Sequence, residues 1–186
     1  PAAYSPPSAY YSPNAARMGG IEILKGSSQI AHGPHTTGGV INYLSTQFPT
    51  DHSFYLRSTY GSNSAFDIHS YWSDTSEGVF GRVGILAEIS YRQTDGYRKI
   101  DAGNGFGGSD ETGFDLMEPM VKIFWEPNSD VYQRWEFKYG YTEFDADETY
   151  AGLIESDLKA NPYRRYAGTF LDHMATEHKR SYLKYL

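Results

Sequence analysis

The sequence predicts an all-β protein: about six antiparallel strands forming part of a transmembrane barrel wall. Three observations predict this. From Ser53 onward, apolar and polar residues alternate with a period of two, the pattern of strands with two unlike faces. The connections alternate in length, short at 74–78 and 126–130 but long at 94–113 and 145–176, with one exception, the short hairpin at 61–64 where a long loop is expected. Outer-membrane barrels carry short turns at one end and long loops at the other. Finally, the polar face carries charge in most strands. Unpaired ions on an inward face of a soluble sandwich would each cost several kcal/mol, whereas a barrel lumen supplies water. The apolar face is therefore expected to look outward at lipid.

Composition agrees with that class and excludes others. The 186 residues contain no Cys, so disulfide frameworks and thiolate metal sites are ruled out. No apolar run approaches the roughly 18 residues of a membrane helix, and the mean hydropathy is negative. A membrane barrel is still open, because alternating strands average out as polar. Seventeen Tyr, ten Phe and three Trp suit strands and interfacial girdles. A net charge of -7 argues against a nucleic-acid partner, which requires a basic stripe. The chain opens Pro-Ala-Ala-Tyr without a leader pattern, so a leader in a secreted protein is expected upstream.

In order along the chain, Pro1 to Ala16 holds four Pro and three Tyr without any period, which predicts a loop. Ile21 to Lys25 reads as a short strand stopped by Gly26. Ser27 can cap one helical turn through Ala31, ended by Gly33-Pro34. Gly38-Gly39 opens a second strand, Val40 to Leu44, where paired glycines permit close backbone approach.

The meander follows. Phe54, Leu56 and Tyr60 share a face opposite Tyr55, Arg57 and Thr59, and 61–64 is a turn. Phe66, Ile68 and Trp72 alternate with Asp67 and His69, and Asp74–Gly78 reads as a polar turn. The clearest strand puts Val79, Val83, Ile85, Ala87, Ile89 and Tyr91 opposite Arg82, Glu88, Ser90 and Arg92. Then come Leu116–Trp125, the strand holding Trp135, Phe137, Tyr139 and Tyr141, and a sixth strand starting near Ser181.

Residues 21–45 resemble the end of the plug domain of TonB-dependent outer-membrane receptors. The matching residues are Ile21, Glu22, Lys25, Gly26, Ala31, Gly33, Gly38, Gly39, Val40, Ile41 and Asn42. Lys25 stands where Arg is usual and His32 where Tyr is usual; Lys keeps the charge but lacks the planar fork. The resemblance implies residues 1–49 as the C-terminal part of a plug and residues 50–186 as the first barrel strands, about six of ~22. An open sheet edge cannot sit in lipid, so these residues alone are not expected to form a stable membrane protein. Pro119 lies on the apolar side of its strand, where the family often carries Pro, which implies a bulge. The segment before the plug strand faces the ligand in this family, making Tyr4, Tyr10 and Tyr11 candidate ligand-facing residues, with His35 in the following turn.

The long connection 145–176 resembles the matching loop of the ferric-citrate receptor subgroup. It reads Glu148-Thr149-Tyr150-Ala151-Gly152-Leu153, Asn161-Pro162-Tyr163-Arg164-Arg165-Tyr166-Ala167-Gly168, then Leu171-Asp172-His173-Met174, with Gly168 where Ala is usual. Arg164 and Arg165 form a forked cationic pair flanked by tyrosines, suited to an anionic carboxylate chelate. Alternatively they pair with loop acids such as Glu155 or Asp172 and order the loop. The resemblance implies a ferric-chelate (siderophore) receptor of the Gram-negative outer membrane. Its partners would be the chelate, the TonB energy-transducing complex and outer-membrane lipid, and it would be neither an enzyme nor a cofactor protein.

Other patterns carry less. Gly103-Asn104-Gly105-Phe106-Gly107-Gly108 has dinucleotide-loop spacing but no helix after it, so it reads as an external loop. His32 with His35 and Asp145-Ala146-Asp147-Glu148 lack the further ligands of a metal site. No nucleophile elbow supports catalysis. The rival class is a soluble β-sandwich binding carbohydrate through its Tyr and Trp. A passive porin would lack residues 21–45.

Overall fold

A computed structural model describes residues 14–26, 39–101, 112–147 and 151–186. The chain divides into two compact units, residues 1–50 and 51–186. In the first, Asn14 accepts a hydrogen bond from the Ala16 amide and caps a 3-10 turn over 15–17. Strand β1 (Met18–Leu24) then pairs antiparallel with β2 (Val40–Ser45). The first strand thus starts at Met18, three residues before the expected Ile21. Gly39 has φ +147°, and a Cβ there would lie 2.7 Å from the Leu24 carbonyl oxygen, so the close approach anticipated for the glycine pair is real at this position. Glu22 and Asn42 stand opposite one another, with Asn42 Nδ2 donating to Glu22 Oε2 at 2.9 Å. The helical turn expected at 27–31 lies outside the described residues.

The second unit is built on one six-stranded antiparallel sheet. Its strands are β3 (Ser53–Tyr60), β4 (Phe66–Gly78), β5 (Gly81–Thr94), β7 (Phe114–Glu126), β8 (Trp135–Asp147) and β10 (His173–Tyr185), and each pairs with the next. The sheet is open: among the described strands, β3 and β10 each have one neighbour. The turns at 79–80 and 127–134 lie at one end. The 61–65 hairpin, the end of β5, the start of β7, the end of β8 and the start of β10 lie at the other, because each strand reverses the last. Asp95 N and Thr94 Oγ1 both donate to the Asn63 carbonyl, tying the hairpin to its neighbour.

Several expected boundaries are corrected. Asp74–Gly78 is strand, paired without a break from Asp74↔Ile85 to Gly78↔Gly81, and the turn is Val79–Phe80. Polar Asp74 and Ser76 occupy the outward positions of that strand end and hide its period. β8 continues to Asp147 and β10 begins at His173, so the third connection is shorter than expected. Pro119 makes no bulge. It keeps register opposite Ile89, while the ladder to β8 omits residues 118 and 119 and resumes in the same register at Met120↔Gly140. The missing proline N–H interrupts pairing without adding a residue.

The two faces of the sheet differ in exposure. Val83, Ile89, Ile123, Trp125 and Phe137 keep 40–43% of their surface exposed. Every buried side chain of the sheet lies on the other face, where Leu86, Met120 and Phe124 sit among His69, Ser73, Glu88, Ser90, Glu118, Lys122 and Thr142. Phe124 lies directly over Gly84, with the Arg134 guanidinium 4.0 Å from its ring centroid and that of Arg82 at 5.4 Å. A buried charge needs a partner. His69 Nε2 meets Glu88 Oε1 at 2.8 Å, and Thr142 Oγ1 donates to Glu118 Oε1 at 3.3 Å while accepting from Arg180 Nη1 at 3.0 Å.

Candidate functional site

The long-loop end carries the arrangement that binding chemistry can use. Two of its loops are stitched together by a parallel pair: β6 (Lys99–Ile100) beside β9 (Arg164–Arg165). Lys99 N donates to the Tyr163 carbonyl at 2.7 Å, and Asp101 N to the Arg165 carbonyl at 2.8 Å. Two-residue strands hold only when their side chains add to the backbone bonds, and here they do. Ile100 and Arg165 are buried on one face, whereas Lys99 and Arg164 share the exposed one. Tyr97 meets Tyr163 edge-on at 6.3 Å, with the Arg98 guanidinium 5.4 Å from the Tyr97 ring centroid. A short helix, α1 (Glu155–Ala160), precedes β9 in the second loop.

The two arginines do different things. Arg165 is 1% exposed; its Nε donates to Thr169 Oγ1 at 2.7 Å, and its Nη2 donates to the backbone carbonyls of Thr169 and Asp172. Thr169 Oγ1 in turn donates to the Tyr166 carbonyl, so Arg165 fixes the 3-10 turn over 167–169 from within. Arg164 is part-exposed. Its Nε lies 2.9 Å from both carboxylate oxygens of Asp101 in the other loop, and its Nη1 lies 2.9 Å from Asp157 Oδ2 on α1. The hydrogen bond to Asp101 leads the influences that raise the guanidinium's proton affinity above its ordinary value. Tyr166 stacks under Arg164 at 4.9 Å and donates to Asp157 at 2.7 Å.

Of the residues singled out from the sequence, Arg164 and Arg165 fall in this clasp, on opposite faces of one strand. Tyr4, Tyr10, Tyr11 and His35 lie outside the described residues, as does the glycine-rich 103–108 segment. The loop-ordering alternative is visible in the geometry, but with other acids: Arg164 takes Asp101 and Asp157, and Glu155 pairs with Lys159. Asp101, Asp157 and Lys99 were not anticipated. The only available signal was the Lys99-Ile100 polar–apolar step inside a loop, which is too short to read as a strand.

At the rim of the sheet, Asp145 and Asp147 pair with His173 at 3.3 and 3.4 Å. Among the described residues, no three His, Cys, Asp or Glu side chains are placed to hold a metal ion. No described helix is long and apolar enough to cross a membrane. Neither a family model, nor a curated protein, nor a solved structure matches this chain.

Proposed function

We propose that residues 1–186 are the late plug and first wall strands of a TonB-dependent outer-membrane receptor importing an anionic ferric chelate, of the ferric-citrate type. The observation that carries the reading is the inverted sheet, apolar side chains exposed and ionic ones buried. On the exposed face, Trp125, Trp135 and Tyr185 lie at the short-turn end, and Trp125 Nε1 donates to the Phe80 carbonyl. Tyr91 and Tyr141 lie toward the loop end, with hydroxyls donating to Asp115 and Glu143. From Met117 to Trp125 the strand covers about 27 Å, which suits the ~25 Å aromatic-bordered apolar band of membrane barrels. Beyond that band the outward residues turn acidic at Asp115, Glu143, Asp145 and Glu177. A sandwich buries the apolar face instead.

In this reading the wall closes with strands outside residues 1–186. The chelate docks among the long loops and plug apices, and energy from the TonB complex rearranges the plug so that it passes inward. No covalent chemistry is involved. The test uses the full-length protein carrying these residues, produced in a Gram-negative strain lacking ferric-citrate uptake. Recovery in the outer membrane and TonB-dependent iron uptake from ferric citrate is the expected result. Recovery as a water-soluble protein sinks the proposal.

A further inference from the structure

Resting on that reading, we propose that Asp101 and Asp157 are built-in competitors for the ligand, occupying the Arg164 guanidinium until an anionic polycarboxylate chelate displaces them. The clasp already demonstrates the recognition such a ligand needs. Arg164 Nε faces both oxygens of one carboxylate and its Nη1 faces a second, each at 2.9 Å. Planar carboxylates are what the guanidinium fork is shaped to hold.

Three features make the occupancy exchangeable. The Arg164, Asp101 and Asp157 side chains retain 35%, 28% and 27% of their surface in solvent, so each pair is screened and weakly held. A second cation is also at hand, because Lys99 stands exposed beside Arg164 in the parallel pair. A polycarboxylate can therefore meet two cations where Asp101 and Asp157 now meet mainly one. Lastly, the clasp does not depend on Arg164 for its shape. The backbone bonds of Lys99 and Asp101, the buried Ile100 and the buried Arg165 hold it on the other side. Arg165 is thus a positioning residue, and Arg164 the ligand contact.

Displacement has a consequence for selectivity. A neutral chelate gains nothing by expelling two carboxylates, so the internal acids bias the site toward anions of higher charge. Ligand binding also frees Asp101 and Asp157, which lie in different loops.

The experiment measures binding of ferric citrate and of a neutral ferric trihydroxamate to the full-length receptor in detergent. Asp101→Asn, which keeps the side chain's shape, should tighten ferric citrate binding by about fivefold and leave the trihydroxamate unchanged. Asp157→Asn should act in the same direction, guarding against a local folding defect in either variant. Arg164→Gln should weaken ferric citrate alone. Should Asp101→Asn and Asp157→Asn weaken binding as Arg164→Gln does, Arg164 is merely a loop staple and the inference is overturned, while the receptor reading stands. A receptor that binds only the neutral chelate overturns the inference as well; one that binds neither chelate takes the receptor reading down with it.

Discussion

Arg164 reaches 63 positions back along the chain to place its Nε 2.9 Å from both oxygens of Asp101. That contact spans two loops that share no strand of the main sheet, on the solvent side of the parallel pair that joins them, whose other side is filled by Ile100 and Arg165. Which side of the pair an arginine faces decides what it can do.

Arg165→Ala should open the clasp. The buried guanidinium donates to Thr169 and to the Asp172 carbonyl, and removing it deletes those bonds at about 0.5–1.5 kcal/mol each. Limited proteolysis should cut within 151–172 faster than in the parent. Arg164→Ala, touching only part-exposed carboxylates, should change that rate far less. Equal rates would show that burial does not separate the two residues.

Gly84→Ala should disturb the buried face. A Cβ there would lie 2.1 Å from the Phe124 ring, which is itself held between Arg134 and the strand. Overpacking of this kind costs about 1–3 kcal/mol, to be read as a lower denaturant midpoint of the full-length protein. Gly78→Ala, with nothing within 4 Å, is the matched control and should leave the midpoint in place.

Val121→Arg distinguishes lipid from water on the exposed face. Val121 stands between Ala87 and Tyr139 in the middle of the apolar band. In a bilayer the substitution should cost about 2–4 kcal/mol, seen as reduced assembly of heat-modifiable protein in lipid vesicles. A face bathed in water would accept the arginine without loss.

His69→Ala removes the 2.8 Å partner of a nearly fully buried carboxylate at Glu88. The expected destabilisation is about 1–3 kcal/mol. His69→Gln, which can still donate, should recover part of it in the same unfolding measurement.

Much of the six-stranded sheet is legible in the sequence. Ile85, Ala87 and Ile89 alternate with Leu86, Glu88 and Ser90 because a strand's side chains switch faces at every residue, and that phase survives into the sheet without error. Legibility failed where the alternation was interrupted by polar residues in outward positions, as at Asp74 and Ser76, and where a proline kept register when a bulge was expected. In the loops there was no period to read.

The sequence by itself determined where most strands lie, their phase and the fact that ions share a face with Leu86 and Phe124, since these are set by neighbours one or two residues apart. The tertiary structure alone decided that Lys99-Ile100 lies beside Arg164-Arg165, and hence that one arginine is buried while the other meets Asp101 and Asp157. Such pairings depend on which strand ends the sheet brings together, and no local pattern encodes a partner 63 residues away.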